Sequence, residues 1–200
     1  MSESTDNMAG SQTAGLRTFM QRVRVSSGFL LLPLLFLAAR PAAITLLSGA
    51  AVSAVGLLIR GLASGYLKKN EELTTSGPYA RTRNPLYVGT FVLGAGAAIA
   101  SASLWFIAAY LIFYLVIYVP VIMAEAETMK KLFKEEYSLY SRHVPLFFPR
   151  ITAYRAEGSA KNAERRFAFS QYMKHREYRA AIGCAAVFLA LMAKMLLTGN

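Results

Sequence analysis

Between Leu104 and Ala124 the chain runs through LWFIAAYLIFYLVIYVPVIMA without one charged side chain. Crossing the hydrocarbon of a bilayer takes about 20 apolar residues at a rise near 1.5 Å each. Lipid offers the backbone no hydrogen-bond partner, so such a segment must satisfy its own N–H and C=O groups as a helix. Three further stretches carry the same signature. Ala42 to Ile59 and Leu86 to Leu104 are uncharged, and Ala180 to Leu197 has only Lys194, placed near its end where a long side chain can snorkel to the interface. Val25 to Ala39 is shorter and holds Pro33. The expectation is an all-α, multi-pass transmembrane bundle of about five spans. It divides into an N-terminal arm (1–24), a membrane core (25–150) and an interfacial segment with a last span (151–200).

Composition supports this and limits the alternatives. Of 200 residues, 55 % are hydrophobic and 16 % charged, against roughly a quarter charged in soluble domains. The net charge of +11 could point to nucleic acid, but the placement of the charges gives another account. If five spans alternate, Arg40 and Lys194 are the basic residues on one side, and the remaining Lys and Arg fall on the other. By the positive-inside rule that basic side is the cytoplasm, facing anionic headgroups, with no nucleic-acid partner. The N-terminus and any site on the Arg60–Arg83 loop then face the cytoplasm. The host membrane is expected to be the plasma membrane in a prokaryote and, by family resemblance alone, the endoplasmic reticulum in a eukaryote.

Met1 to Gly15 is polar and lacks Lys and Arg, unlike a signal peptide, and reads as a disordered tail. Cys184 has no second cysteine, and His143 and His175 stand apart, so no metal site is expected. Small residues crowd the third span at Gly89, Gly94, Gly96, Ala97, Ala98 and Ala100, a pattern that lets helices approach closely.

Two blocks carry chemistry. The first, Gly77-Pro78-Tyr79-Ala80-Arg81-Thr82-Arg83-Asn84-Pro85-Leu86-Tyr87-Val88-Gly89, is a polar loop entering an apolar helix. Asn84 is placed as a cap and Pro85 as the first helical residue, where its missing N–H costs nothing. A helix N-terminus beside Arg81 and Arg83 suits an anion. Gly89, one turn along, would let a ligand touch the backbone. The two arginines have a plainer reading as positive-inside anchors. The second block starts at Glu125 and Glu127, where Pro120 should kink the fourth span and turn its end inward. Met129, Leu132, Phe133, Tyr137 and Tyr140 follow at helical spacing, giving an amphipathic interfacial helix. A carboxylate at that depth is costly unless paired. The alternative for Glu125 is a salt bridge with Lys68, Lys69 or Lys130.

Taken together, the Gly-Pro-Tyr…Arg-Asn-Pro-x-Tyr-x-Gly loop, the membrane hairpin, the glutamate-led helix, Tyr137-x-x-Tyr140 and Val144-Pro145…Pro149 resemble the isoprenylcysteine carboxyl methyltransferase and phospholipid methyltransferase superfamily of integral-membrane enzymes. The likeness covers about Thr75 to Pro149. It implies S-adenosylmethionine as methyl donor, bound at the cytoplasmic end by interfacial helices that form the pocket. It implies a lipid or prenylated small molecule as acceptor, entering from the bilayer. Arg83 and Glu125 become the candidate catalytic pair. Tyr79, Arg81, Asn84, Pro85, Leu86, Tyr87, Gly89 and Glu125 become cofactor contacts, and Tyr137, Tyr140 and Arg176 acceptor contacts. Asn84 stands where histidine is frequent and cannot titrate near neutrality. Ala126 replaces a second glutamate, and Val119 to Ala124 lacks the basic residue of the prenylcysteine enzymes. The motif's overall shape favours carboxylate O-methylation over phospholipid N-methylation. An NADPH-dependent sterol or enone reductase, and a catalytically silent membrane protein, are the readings from other classes.

Overall fold

The computed structural model describes residues 31–67, 72–155 and 166–199, and every regular element among them is helical. In chain order these are α1 (31–38), α2 (Ala43–Tyr66), a 3-10 turn (Gly77–Ala80), α3 (Pro85–Ala100), α4 (Leu104–His143), α5 (Phe169–Lys174) and α6 (Tyr178–Thr198). Helices α2, α4 and α6 are long and apolar enough to cross a bilayer. Among the described residues, three helices thus reach full spanning length, against the roughly five spans expected. Helix α3 has 16 residues, about 24 Å, because Ala102 takes a left-handed φ of 51° and Ser103 restarts the chain as the cap of α4. Of the expected first span only 31–38 is described, and the N-terminal arm lies outside the described residues.

The second helix is longer than its uncharged stretch. It runs past Ile59 through Arg60 to Tyr66, so an arginine sits inside a spanning helix. Its start is pinned by Thr45, whose hydroxyl accepts from the Ala42 N–H at 3.0 Å and donates to the Ala42 carbonyl at 2.9 Å.

Small residues hold α2 against α3. A Cβ on Gly49 would lie 2.4 Å from the Gly96 carbonyl oxygen, one on Gly56 would lie 2.4 Å from the Leu93 nitrogen, and one on Gly96 would lie 2.2 Å from Ser53 Oγ. The partners descend along α3 as they climb α2, so the pair is antiparallel with backbones in contact. Ser53 closes the seam with a hydrogen bond to the Leu93 carbonyl at 3.0 Å. Dispersion contacts of this kind are what associate helices in lipid, where burying an apolar side chain gains little.

Helix α4 meets α3 through aromatic rings. Tyr110 donates to the Phe91 carbonyl at 2.7 Å and Tyr114 to the Tyr87 carbonyl at 2.9 Å. Tyr114 and Tyr118 stack with centroids 4.6 Å apart. Each phenol thus buries a large ring and satisfies its hydroxyl on a helix carbonyl.

The break in α4 falls at Lys134 (φ 38°, ψ −109°), whereas the chain stays helical through Pro120. Proline already has a helical φ and removes only one hydrogen bond, while Lys134 is exposed to solvent that can satisfy the interrupted turn. Beyond the break, Tyr137, Tyr140 and Val144 bury against Leu73, with Met129 and Phe133 packed alongside. Leu132, expected on the same face, is exposed instead.

At the end of the bundle away from the basic loops, the Arg40 N–H donates to the Ser101 carbonyl at 2.8 Å. That leaves the Phe36 carbonyl without its usual acceptor role in the last turn of α1. Lys194 of α6 donates to it, so this lysine is bonded to a neighbouring helix instead of reaching for the interface. The outer surface is apolar, with Leu37, Ile44, Leu58, Ile112, Leu115, Leu189 and Leu196 all exposed and Trp105 87 % exposed. In water a patch of this extent would be a strong liability; against lipid it costs nothing.

Candidate functional site

The loop before α3 and the strand-like chain after α4 are zipped together by backbone groups. Thr82 donates its hydroxyl to the Phe147 carbonyl at 2.8 Å, the Arg83 N–H donates to Pro145 at 3.0 Å, and Asn84 Nδ2 donates to Leu146 at 2.9 Å. In the other direction, the N–H of Arg150 donates to the Arg81 carbonyl at 2.9 Å and that of Tyr154 to Ala80 at 2.8 Å. The two sequence blocks are therefore one structural unit. Asn84 holds the cap position before α3 as expected, with Pro85 as the first helical residue, but its side chain makes no capping bond. Its own carbonyl accepts from Tyr87 and Val88 at 3.1 Å each, and its amide is committed to Leu146.

Tyr79 lies at the centre, 7 % exposed. Burial, reinforced by the charges of Glu125 and then by Tyr140, Glu177 and Tyr87, pushes its phenol well above the usual tyrosine range. It stays protonated at any working pH and can donate a hydrogen bond but not act as a base. Tyr140 anchors it by donating to its carbonyl at 2.6 Å. Removing that hydroxyl leaves a buried carbonyl unsatisfied, so Tyr140→Phe should lower stability by about 1–3 kcal/mol, read as a drop in the melting temperature of the detergent-purified protein.

Arg83 is the other fixed point. One guanidinium nitrogen donates to the Tyr137 hydroxyl at 3.0 Å, and the guanidinium sits 5.7 Å from the Tyr137 ring centroid. Its Nε is buried with no hydrogen-bond partner among the described residues, as is the Oγ of Ser76. Glu125 is half-buried and makes no salt bridge among the described residues. Lys130 is thus not its partner, while Lys68 and Lys69 lie outside the described residues.

The remaining expected residues sort by position. Pro85 is fully buried and Tyr87 packs with Val121 and Ile122. The Leu86 carbonyl accepts from Thr90 at 2.8 Å. Arg81 is exposed, at the rim of the buried cluster. A Cβ on Gly89 would lie 2.6 Å from Arg60 Cγ and 2.9 Å from the Gly56 carbonyl, so its missing side chain admits α2. Arg176 is exposed, in a left-handed turn with φ 54°, and its neighbour Glu177 is the residue that turns inward.

Glu177 pairs with Arg60. Arg60 Nε donates to one carboxylate oxygen at 3.0 Å, and Nη2 donates to both, at 3.0 and 2.8 Å. Arg60 Nη1 also donates to the Thr90 hydroxyl. Sequence reading ended the second span just before Arg60 and so treated it as an interfacial charge. The signal was a lone arginine directly following an uncharged run. No group of three or more His, Cys, Asp or Glu stands together as a metal site among the described residues.

Residues 42–136 match the phospholipid methyltransferase family model. The chain is 35 % identical over 92 residues to the nickel-cobalt-cadmium resistance protein NccN of Alcaligenes xylosoxydans xylosoxydans, covering 46 % of this chain and 43 % of that protein. It is 37 % identical over 94 residues to the cobalt-zinc-cadmium resistance protein CzcN of Cupriavidus metallidurans, covering 46 % and 42 %. The chain therefore matches less than half the length of these curated relatives. No solved structure gives a significant match. The matched segment takes in α2, the Gly77–Gly89 loop, α3 and α4 as far as Glu136, and over that segment the chain is similar to the phospholipid methyltransferase family.

Proposed function

We propose that the start of α3 binds S-adenosylmethionine on the cytoplasmic face of the membrane and that the protein transfers its methyl group to a lipid-like acceptor. The observation that carries this is a pair of uncommitted opposite charges. Half-buried Arg83 has a buried Nε without a partner, and half-buried Glu125 lacks a salt bridge, among the described residues. Each would be costly to keep in the apolar state alone. The methionyl end of the cofactor carries a carboxylate and an ammonium, which suit Arg83 and Glu125 respectively. When bound, the sulfonium supplies an electrophilic methyl group. The protein's part is to hold donor and acceptor in line in a site from which water is excluded. Tyr79, protonated and buried beside Glu125, contributes a donor and an apolar ring.

For the acceptor, the geometry favours a phospholipid amine over the carboxylate of a prenylated cysteine. A carboxylate needs a cation of its own, yet Arg60 is saturated by Glu177 and Arg83 is assigned to the cofactor. An amine needs no such partner. The family description supports the same choice.

The test is calorimetric binding of S-adenosylmethionine and S-adenosylhomocysteine to the purified protein, with Glu125→Gln alongside. Micromolar binding, weakened about tenfold in the variant (some 1.4 kcal/mol), is expected. Absence of binding by a well-folded wild type would sink this reading, and NADPH would then be titrated for the reductase alternative. The metal-resistance names of the relatives make tolerance to nickel, cobalt and cadmium the growth phenotype to score for the variant.

A further inference from the structure

Arg60 lies within a helix long and apolar enough to span the membrane. A charge there is expensive, and a buried ion pair is seldom the most stable filling for such a position. The α2–α3 seam does not need it, because Gly49, Ser53 and Gly56 already bring those backbones into contact. What the arginine does is join three helices at the level of the candidate site. Two of its nitrogens grip the Glu177 carboxylate at the entry to α6, with side-chain exposures of only 21 % and 11 %. The third reaches Thr90 of α3, whose hydroxyl donates to the carbonyl of Leu86 in the first turn.

The chain is bent to make this contact. Arg176 adopts φ 54° without being glycine, a conformation unfavourable for an L residue, and strain of this kind collects where geometry is functional. The segment leading in is seated on the end of α2. The Ala168 N–H donates to the Gly65 carbonyl at 3.0 Å, Phe167 covers Gly65, and His175 meets the Leu67 carbonyl at 3.4 Å. The charge of Glu177 is felt at the Tyr79 phenol, as is that of Glu125.

We propose that Arg60 is a positioning residue, which acts through Glu177 and Thr90 to lock the entry of α6 and the first turn of α3 in register, so that the C-terminal helix forms a wall of the reaction site. The bland alternative is that Glu177 only complements the N-terminal dipole of α6; that would not require a bidentate partner from another span. The inference rests on the methyltransferase reading and extends the site beyond the family-matched residues 42–136.

The experiment uses the full chain in phospholipid nanodiscs with Arg60→Gln, Glu177→Gln and the exchanged pair Arg60→Glu with Glu177→Arg. Three quantities are measured: S-adenosylhomocysteine affinity, melting temperature, and kcat and KM for methyl transfer to phosphatidylethanolamine. Each single variant is expected to keep its cofactor affinity within about twofold and to lose at least tenfold in kcat, since a small misplacement of reacting groups is costly. The exchanged pair should recover most of that loss. Single variants that keep wild-type kcat overturn the inference and leave the methyltransferase reading standing. So does a parallel fall in affinity, melting temperature and kcat that the exchange does not rescue, which marks a purely structural pair. A wild type that neither binds cofactor nor transfers methyl overturns both.

Discussion

Arg83→Ala should weaken S-adenosylhomocysteine binding at least about 100-fold, equivalent to some 2.7 kcal/mol, while the protein still purifies as a folded species. The argument starts from the side chain's surroundings. Arg83 is fixed by Tyr137 on one nitrogen and stacked near its ring, yet another nitrogen is buried with nothing to bond among the described residues. A guanidinium held in this way is pre-organised for a carboxylate, and little rotamer entropy remains to be lost on binding. Arg83→Lys should recover no more than about tenfold, because an ammonium on a flexible stem cannot reproduce the planar fork. Tyr137→Phe keeps the ring and removes only the hydroxyl, so its effect should be smaller, about fivefold. Calorimetry on the three variants separates these contributions. If Arg83→Ala bound within twofold of wild type, the arginine would be an interfacial anchor and the cofactor carboxylate would have to lie elsewhere.

Gly96→Val should be the most damaging of the packing substitutions, lowering stability by about 3 kcal/mol or more. Its Cβ would stand 2.2 Å from Ser53 Oγ, 2.4 Å from the Gly49 carbonyl and 2.5 Å from the Ser53 nitrogen. Two of those three neighbours are backbone atoms of α2, which cannot swing aside as a long side chain can. The helices must separate, and the Ser53 to Leu93 hydrogen bond at 3.0 Å breaks with them. Because the first turn of the displaced α3 carries the proposed cofactor site, cofactor binding should fail together with stability. Gly183→Val on α6 is the internal control. Nothing lies within 4 Å of a Cβ there, and its melting temperature should stay within 1–2 °C of wild type, a surface-substitution effect. Melting in detergent and the yield of monodisperse protein are the readouts. Equal behaviour of the two variants would mean that α2 and α3 are not held at backbone contact.

How much of this was legible beforehand follows the range of the forces involved. Hydrophobicity and charge are summed along the chain, so the uncharged runs declared helices in lipid without any tertiary information. The small residues of α3 were readable as a close-packing face for the same reason: a missing Cβ means the same thing wherever the partner is. Asn84-Pro85 likewise announced where α3 begins, since proline's fixed φ is a local property. The ends of helices were less legible. Ala102 and Lys134 adopt left-handed φ values without being glycine, so composition carried no mark of either turn, and Pro120, which does carry one, leaves the helix unbroken.

Roles that depend on a partner far along the chain were not legible at all. Asn84 is a good capping residue by type, but the carbonyl of Leu146, 62 positions away, takes its amide. Gly89 could have faced a ligand, and it faces Gly56 and Arg60. Arg60 finds Glu177 at a separation of 117 residues, and that pairing is why a spanning helix can contain it. By itself the sequence determined that the chain is a helical membrane protein and where α3 begins, because those follow from transfer free energies and local dihedral preferences. Only the tertiary structure decided which polar groups are already satisfied and which have no partner among the described residues, because a hydrogen bond depends on tenths of an ångström between atoms the sequence holds far apart.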